Sequence, residues 1–399
     1  MKTRGLRRIL GFIAVAVLAM ATPVLAAPFA YVTSSYTNSV AVIDTATNEV
    51  VVSVPVGQSP FGVAAHPSGS HVYVANWGDG ELPGTVSVIS TATNTVVATI
   101  PVGAGPFGVA VNPAGTHVYV ANQLSHTVSV IDTATLDLVS TIDVGLRPIG
   151  VAVHPSGTRI YVANQWSWTL SVVDLVANTI VDVAVGSNPR GVAVAPDGSR
   201  VYVTNAGSHN VSVIDAGTHQ ELLKVPVGPS PFGIAVHPNG SRVYVANRGS
   251  WSISISGSIS IIDTASNTPV TVPTDTLGLF GIGVHPAGTH VYAASEDSDA
   301  MVILETATNA VTGSIQVLGL PAAFGTFFTS AGATSEGATS EGAATCDRSN
   351  FEAAVQTQVS ARSGQGPTSS STVAAAAREW AQCNGEALQQ AAPRGSRRR

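Results

Sequence analysis

One tetrapeptide returns along this chain at a nearly fixed interval. Tyr73-Val74-Ala75-Asn76 is repeated at 119–122, 161–164 and 244–247, and the copy at 202–205 differs only in having Thr204 for Ala. Tyr31 and Tyr292 open degenerate copies that end in Ser34 and Ser295. The seven tyrosines stand 42, 46, 42, 41, 42 and 48 residues apart. A unit of this length cannot bury its apolar residues alone and must stack on its neighbours, so the period constrains the fold before composition is consulted.

Each copy reads as four short strands. A Gly-Val-Ala-Val run such as 108–111 comes first, followed by a Pro-x-Gly turn and then the tyrosine strand. An alternating run ending in Asp is third, as in Thr127 to Asp132; a Thr-Ala-Thr turn leads to the fourth, as in Thr95 to Val102. Gly and Pro at fixed offsets supply turn dihedrals that β-branched residues cannot adopt. Four strands in about 42 residues make a propeller blade. The chain enters at the tyrosine strand of the first blade, and a spare run, Gly325 to Thr329, follows the last strand of the seventh. The expected fold is therefore an all-β, seven-bladed β-propeller of four-stranded antiparallel blades. Pairing of its two ends, Gly325–Thr329 against the Tyr31 strand, closes the ring, and a small helical C-terminal tail follows.

The Tyr-Val-x-Asn tetrapeptide, its preceding Pro-x-Gly turn and the Val-Ser-Val-Ile-Asp-Thr strand resemble the YVTN family of prokaryotic β-propeller repeats, from Tyr31 to about Thr329. That resemblance implies an exported or cell-surface ring. Similar rings occur in surface-layer proteins, lactonases and haem- or copper-dependent oxidoreductases, so it speaks to fold and leaves function open.

The ends divide the chain further. Lys2, Arg4, Arg7 and Arg8 precede an apolar run from Ile9 to Ala21 and small residues up to Ala26, which reads as a secretory signal peptide over 1–26. The propeller is expected over 27–330, a flexible Gly/Ala/Ser/Thr linker over 331–345, and a small helical hairpin with a basic tail over 346–399. After cleavage no segment is long enough to span a membrane. The location implied is exported: periplasmic, cell-surface or secreted. Cys346 and Cys383, the two cysteines of the chain, are expected to form a disulfide that staples the hairpin. Residues 27–330 carry 7 basic and 18 acidic residues, a net of −11. Nucleic acid, which is bound through phosphate neutralisation, is a poor partner for such a body.

Most residues with chemical potential repeat, and repetition argues for scaffold. His66, His154, His237 and His285 share one turn position; His71, His117 and His290 share another. Asp44, Asp132, Asp174, Asp215 and Asp263 end the third strands and suit turn capping. No metal site is expected from these. No Cys-x-x-Cys-His or Gly-x-Ser-x-Gly is present, and no cofactor is expected. Acidic residues on the loops between strands two and three (Asp79, Glu81, Glu296, Asp297 and Asp299) keep open an alternative, a lactonase-like propeller hydrolase or lyase.

The non-repeating feature is aromatic. Trp77, Trp166, Trp168 and Trp251 all fall in strand two-to-three loops, and the two long insertions of the repeat, at 76–90 and 247–263, fall in the same loops. The residues preceding the first-strand glycines are Phe61, Phe107, Ile149, Arg190, Phe232, Phe280 and Phe324, an apolar ring broken only by Arg190. The phenylalanines read as a plug at the channel mouth. The candidate ligand site is thus Trp77, Trp166, Trp168 and Trp251 with Arg190. The expected partner is a protein or glycan of the cell envelope or extracellular space.

Overall fold

A computed structural model describes residues 28–79, 83–249 and 256–329. The signal peptide, the linker, the helical tail, the Cys346–Cys383 bridge, Trp251 and Glu81 lie outside these residues. Within them are twenty-seven strands, one 3-10 turn at Glu296–Ser298 and no α-helix. The strands form six four-stranded antiparallel sheets and one three-stranded sheet, each running in sequence order from the channel outward. The third blade is representative: β8 (Pro106–Val111), β9 (His117–Asn122), β10 (Thr127–Asp132) and β11 (Leu138–Asp143).

The second and third strands are buried almost throughout, because both faces of a blade pack on neighbouring blades. The repeated tyrosines lie in these seams, and Tyr31, Tyr73, Tyr161, Tyr202, Tyr244 and Tyr292 are among the largest fully buried side chains. The repeated Asn is the polar counterpart. In the third blade, Asn122 Nδ2 donates to Thr127 Oγ1 at 3.0 Å and Ser129 Oγ at 2.9 Å, which ties the second strand to the third.

The histidines behave as blade ties. His66, His154 and His237 each donate from Nε2 to a glycine carbonyl of the next blade (Gly115 at 2.8 Å, Gly198 at 3.0 Å, Gly288 at 2.9 Å). Where arginine replaces histidine at the other repeated position, Arg159 and Arg200 reach the next blade's turn at Ala216 O and Thr264 O. The strand-ending aspartates cap their own turns, as when Asp132 Oδ1 accepts from the amides of Ala134 and Thr135. Those bonds hold the Asp132 carboxyl below its usual range.

The first blade holds the three strands β1 (Phe29–Ser34), β2 (Ser39–Asp44) and β3 (Glu49–Pro55). Its innermost position is filled by residues 319–329. Tyr31 N donates to Phe327 O at 2.8 Å, Ala322 N to Thr33 O at 2.9 Å, and Thr329 N to Phe29 O at 3.0 Å. The two ends therefore pair, over a longer stretch than Gly325 to Thr329 and less regularly than in the other blades. The reason lies in spacing. Pro321 pairs with Ser34 as Pro60 pairs with Asn76, but two residues more separate Pro321 from Phe324 than occur elsewhere. The surplus forces a kink, visible as a left-handed φ of 43° at Ala323.

Candidate functional site

The ring has two unlike faces. On one, the strand one-to-two and three-to-four turns interlock through the histidine and arginine ties. On the other, the strand two-to-three loops bond to the loops that enter each blade: Trp77 N donates to Ser59 O, Gln123 N to Gly105 O and Trp166 N to Leu146 O. All the sequence-predicted site residues that are described lie on this second face.

At its centre the channel is closed. Each complete blade has a register shift at the start of its first strand, between Pro106 and Val109 in the third. The bulge falls on the residue before the glycine. Such a bulge re-aims a side chain. Phe107, Phe232, Phe280 and Phe324 gather there, each 4–6% exposed, together with Ile149. Phe232 and Phe280 stack with ring centroids 4.0 Å apart, and Phe61 and Phe107 with theirs 4.9 Å apart. The void behind the plug, lined by Gly108, Gly150, Gly191 and Gly233, is about 30 Å³. It has room for water and none for a substrate.

The tryptophans divide into two kinds. Trp77 is half-buried and meets Phe61 and Phe107 edge-on at 6.1 Å, so it buttresses the plug. Trp166 and Trp168 are 58% and 57% exposed. Trp168 also has a left-handed φ of 56°, at a loop position filled by Asn38, His126, His209 and Asp299 in other blades. Asn, Asp and His adopt that conformation more readily than a large apolar side chain does. An exposed tryptophan in a strained backbone is a residue that packing does not explain.

Arg147 lies over the Trp166 ring with its guanidinium carbon 3.9 Å from the ring centroid. The two are fixed by their backbones: Gln165 N donates to Arg147 O, and Leu146 N to Ser167 Oγ at 2.7 Å. Arg190 lies over Phe232 at 4.9 Å, and its Nε is buried without a hydrogen-bond partner among the described residues. Burial, reinforced by the nearby charges of Arg248 and Arg147, pushes its guanidinium down to about 10. Arg248 approaches Phe280 at 5.8 Å and pairs with Glu296 at 2.7 Å.

The acidic residues contribute unequally. Burial raises the Glu296 carboxyl although Arg248 opposes the shift, and burial also raises Asp297, whose Oδ2 has no hydrogen-bond partner among the described residues. Asp299 accepts from the amides of Gly319 and Leu320 and anchors the closing segment. Among the described residues no three His, Cys, Asp or Glu side chains are grouped so as to hold a metal ion. The pairing of Arg147 with Trp166 and the role of Arg248 were missed from sequence. The available signal was that basic residues are scarce and these two sit in loops of the same face.

The family description that matches the chain is "Lactonase, 7-bladed beta-propeller", over residues 91–231 and again over 175–325. No curated protein matches it. Among solved structures, the hydrazine synthase of Kuenenia stuttgartiensis is 23% identical with a TM-score of 0.59, covering 74% of this chain and 99% of that one. A putative 6-phosphogluconolactonase from Bacteroides uniformis is 18% identical with a TM-score of 0.62, covering 74% and 98%. A functionally unknown protein from Desulfotomaculum acetoxidans is 18% identical with a TM-score of 0.63, covering 75% and 97%. At these identities the likeness is one of fold. The two family matches together span 91–325, more than half of the 399 residues, and the chain belongs to the seven-bladed β-propeller lactonase family.

Proposed function

We propose that this protein is an exported binding module that recognises a protein or glycan of the cell envelope or extracellular space through its tryptophan-bearing face. The observation that carries this reading is the Trp166–Ser167–Trp168 loop, with both rings more than half exposed and the second on a strained backbone. Tryptophan combines a flat apolar surface with one N–H donor and is enriched among residues that dominate binding energy. The plugged channel beside it supports surface recognition over enclosure of a substrate. Changing Trp166 and Trp168 together to Ala should leave melting within a few degrees of wild type and abolish retention of envelope components that wild type captures. Capture that survives intact would remove these tryptophans from the site.

A second reading has a specific observation behind it. Family membership, together with two raised carboxyls at Glu296 and Asp297 beside Arg248, suits a lactone hydrolase working at the rim of the plug. Lactone hydrolysis by the same purified protein, unaffected by the double tryptophan change, would favour it over binding.

A further inference from the structure

The propeller body is acidic overall, yet its few cations are not scattered. Residues 27–330 hold seven basic side chains, Arg147, Arg159, Arg190, Arg200, Lys224, Arg242 and Arg248. Arg159, Arg200 and Arg242 bond to the next blade's turn on the far face, and Lys224 pairs with Glu221 on an outer strand. Every basic residue not used in this way, Arg147, Arg190 and Arg248, lies on the tryptophan-bearing face at the mouth of the plug. Only Arg248 has an ion-pair partner among the described residues. Arg190 stands where the other six blades place Phe or Ile, with its Nε desolvated and unpaired among the described residues. The contact of its guanidinium with the Phe232 ring offsets only part of the cost of burying a cation with an unpaired donor in an aromatic plug. Like charges at neighbouring positions add to the cost, and an incoming anion would relieve both.

We infer that the three arginines, with the exposed Trp166 and Trp168 beside them, form a subsite for an acidic glycan, whose carboxylate or sulfate pairs with Arg190 and Arg147 while a sugar ring stacks on tryptophan. This rests on the binding reading given above and names its ligand class. A glycan is favoured over an acidic peptide because cation and ring are joined: Arg147 covers one face of Trp166, and the loop backbones hold both in place. A flat ring with an anionic edge group meets both at once. Among the described residues the strand two-to-three loop carboxylates, Glu296, Asp297, Asp299 and Asp79, belong to the seventh and second blades, while Asp143 and Asp275 stand where the chain enters the fourth and seventh. Arg147, Arg190 and Arg248 belong to the fourth, fifth and sixth blades, whose strand two-to-three loops hold no carboxylate, so the anion's place is on that side.

The test uses the whole exported protein and four defined probes at low and high salt: polygalacturonate, dextran sulfate, uncharged dextran and poly-glutamate. Wild type should bind polygalacturonate or dextran sulfate, weaken as salt rises and ignore dextran. Which of the two it prefers identifies the anionic group. Arg190→Met and Arg147→Met should each weaken binding about tenfold or more, and Arg190→Lys should retain part of it. Equal binding of poly-glutamate, or retention of neither anionic polysaccharide, would overturn the glycan assignment. Binding that the Trp166/Trp168 double change abolishes and Arg190→Met leaves untouched would overturn the anionic subsite while sparing the binding reading. Binding indifferent to the tryptophans as well would overturn both.

Discussion

Arg190 shows how a single residue can set a local cost against the regularity of a repeat. Its backbone follows the same bulged first strand as its equivalents, but its side chain is a cation lying on Phe232 with no hydrogen-bond partner for Nε among the described residues. Because folding lowers its pKa to about 10, below the ordinary guanidinium value, the unfolded chain binds the proton more tightly above that pH. The penalty is complete below pH 10 and fades as pH rises through the ordinary guanidinium range, so it applies in full at neutrality. Arg190→Met keeps the volume and removes the charge. It should stabilise the protein by about 1–2 kcal/mol at pH 7, allowing for partial exposure of the group, and raise Tm by a few degrees. A lowered Tm would mean that the arginine is satisfied by a neighbour outside the described residues.

At the scale of the strand, the first strand of each blade does two jobs with adjacent residues. Its bulge sends one side chain into the plug, and the glycine that follows lets neighbouring blades touch backbone to backbone. A Cβ placed on Gly233 would lie 2.6 Å from Phe280 O and 2.9 Å from Ile282 N, both main-chain atoms that cannot yield without moving the seventh blade. Gly233→Ala should therefore cost several kcal/mol, on the order of 3, through displacement of a packed element. It should also loosen the Phe232–Phe280 stack. Thermal unfolding with near-ultraviolet circular dichroism reads both effects; unchanged curves would show that the blades have slack along the channel.

For the molecule as a whole, closure is the decisive contact. Residues 319–329 bond to the first blade and also to the second, where Val63 N donates to Phe324 O at 3.0 Å and Ala65 N to Thr326 O at 2.9 Å. Phe324 and Phe327 are buried at 6% and 0% exposure. A chain ending at Leu318 loses these rings and the hydrogen bonds around them, a cost on the order of 5 kcal/mol or more. A chain ending at Ala331 keeps them. The first should melt far below the second, and equal melting temperatures would show that the seam is not needed. Both ends of the ring, Phe29 and Thr329, meet on the turn face, opposite the tryptophans.

Blade number, strand order and the two faces were legible in the chain because each follows from a local pattern repeated seven times: tyrosine for the seam, Asp for the turn, Gly before the channel strand. The scaffold roles of the histidines and aspartates were legible for the same reason. The candidate face was legible only in outline. Sequence put four tryptophans on it, but it took packing to show that Trp77 leans on the phenylalanine plug while Trp166, under Arg147, and Trp168 keep more than half their surface exposed. The bulge before each channel glycine recurs with the repeat, but the convergence of Arg147, Arg190 and Arg248 from three blades has no periodic signature. It depends on distances between segments some 40 to 100 residues apart, and the fit of the closing segment on contacts about 300 residues apart; such distances exist only once the ring has closed.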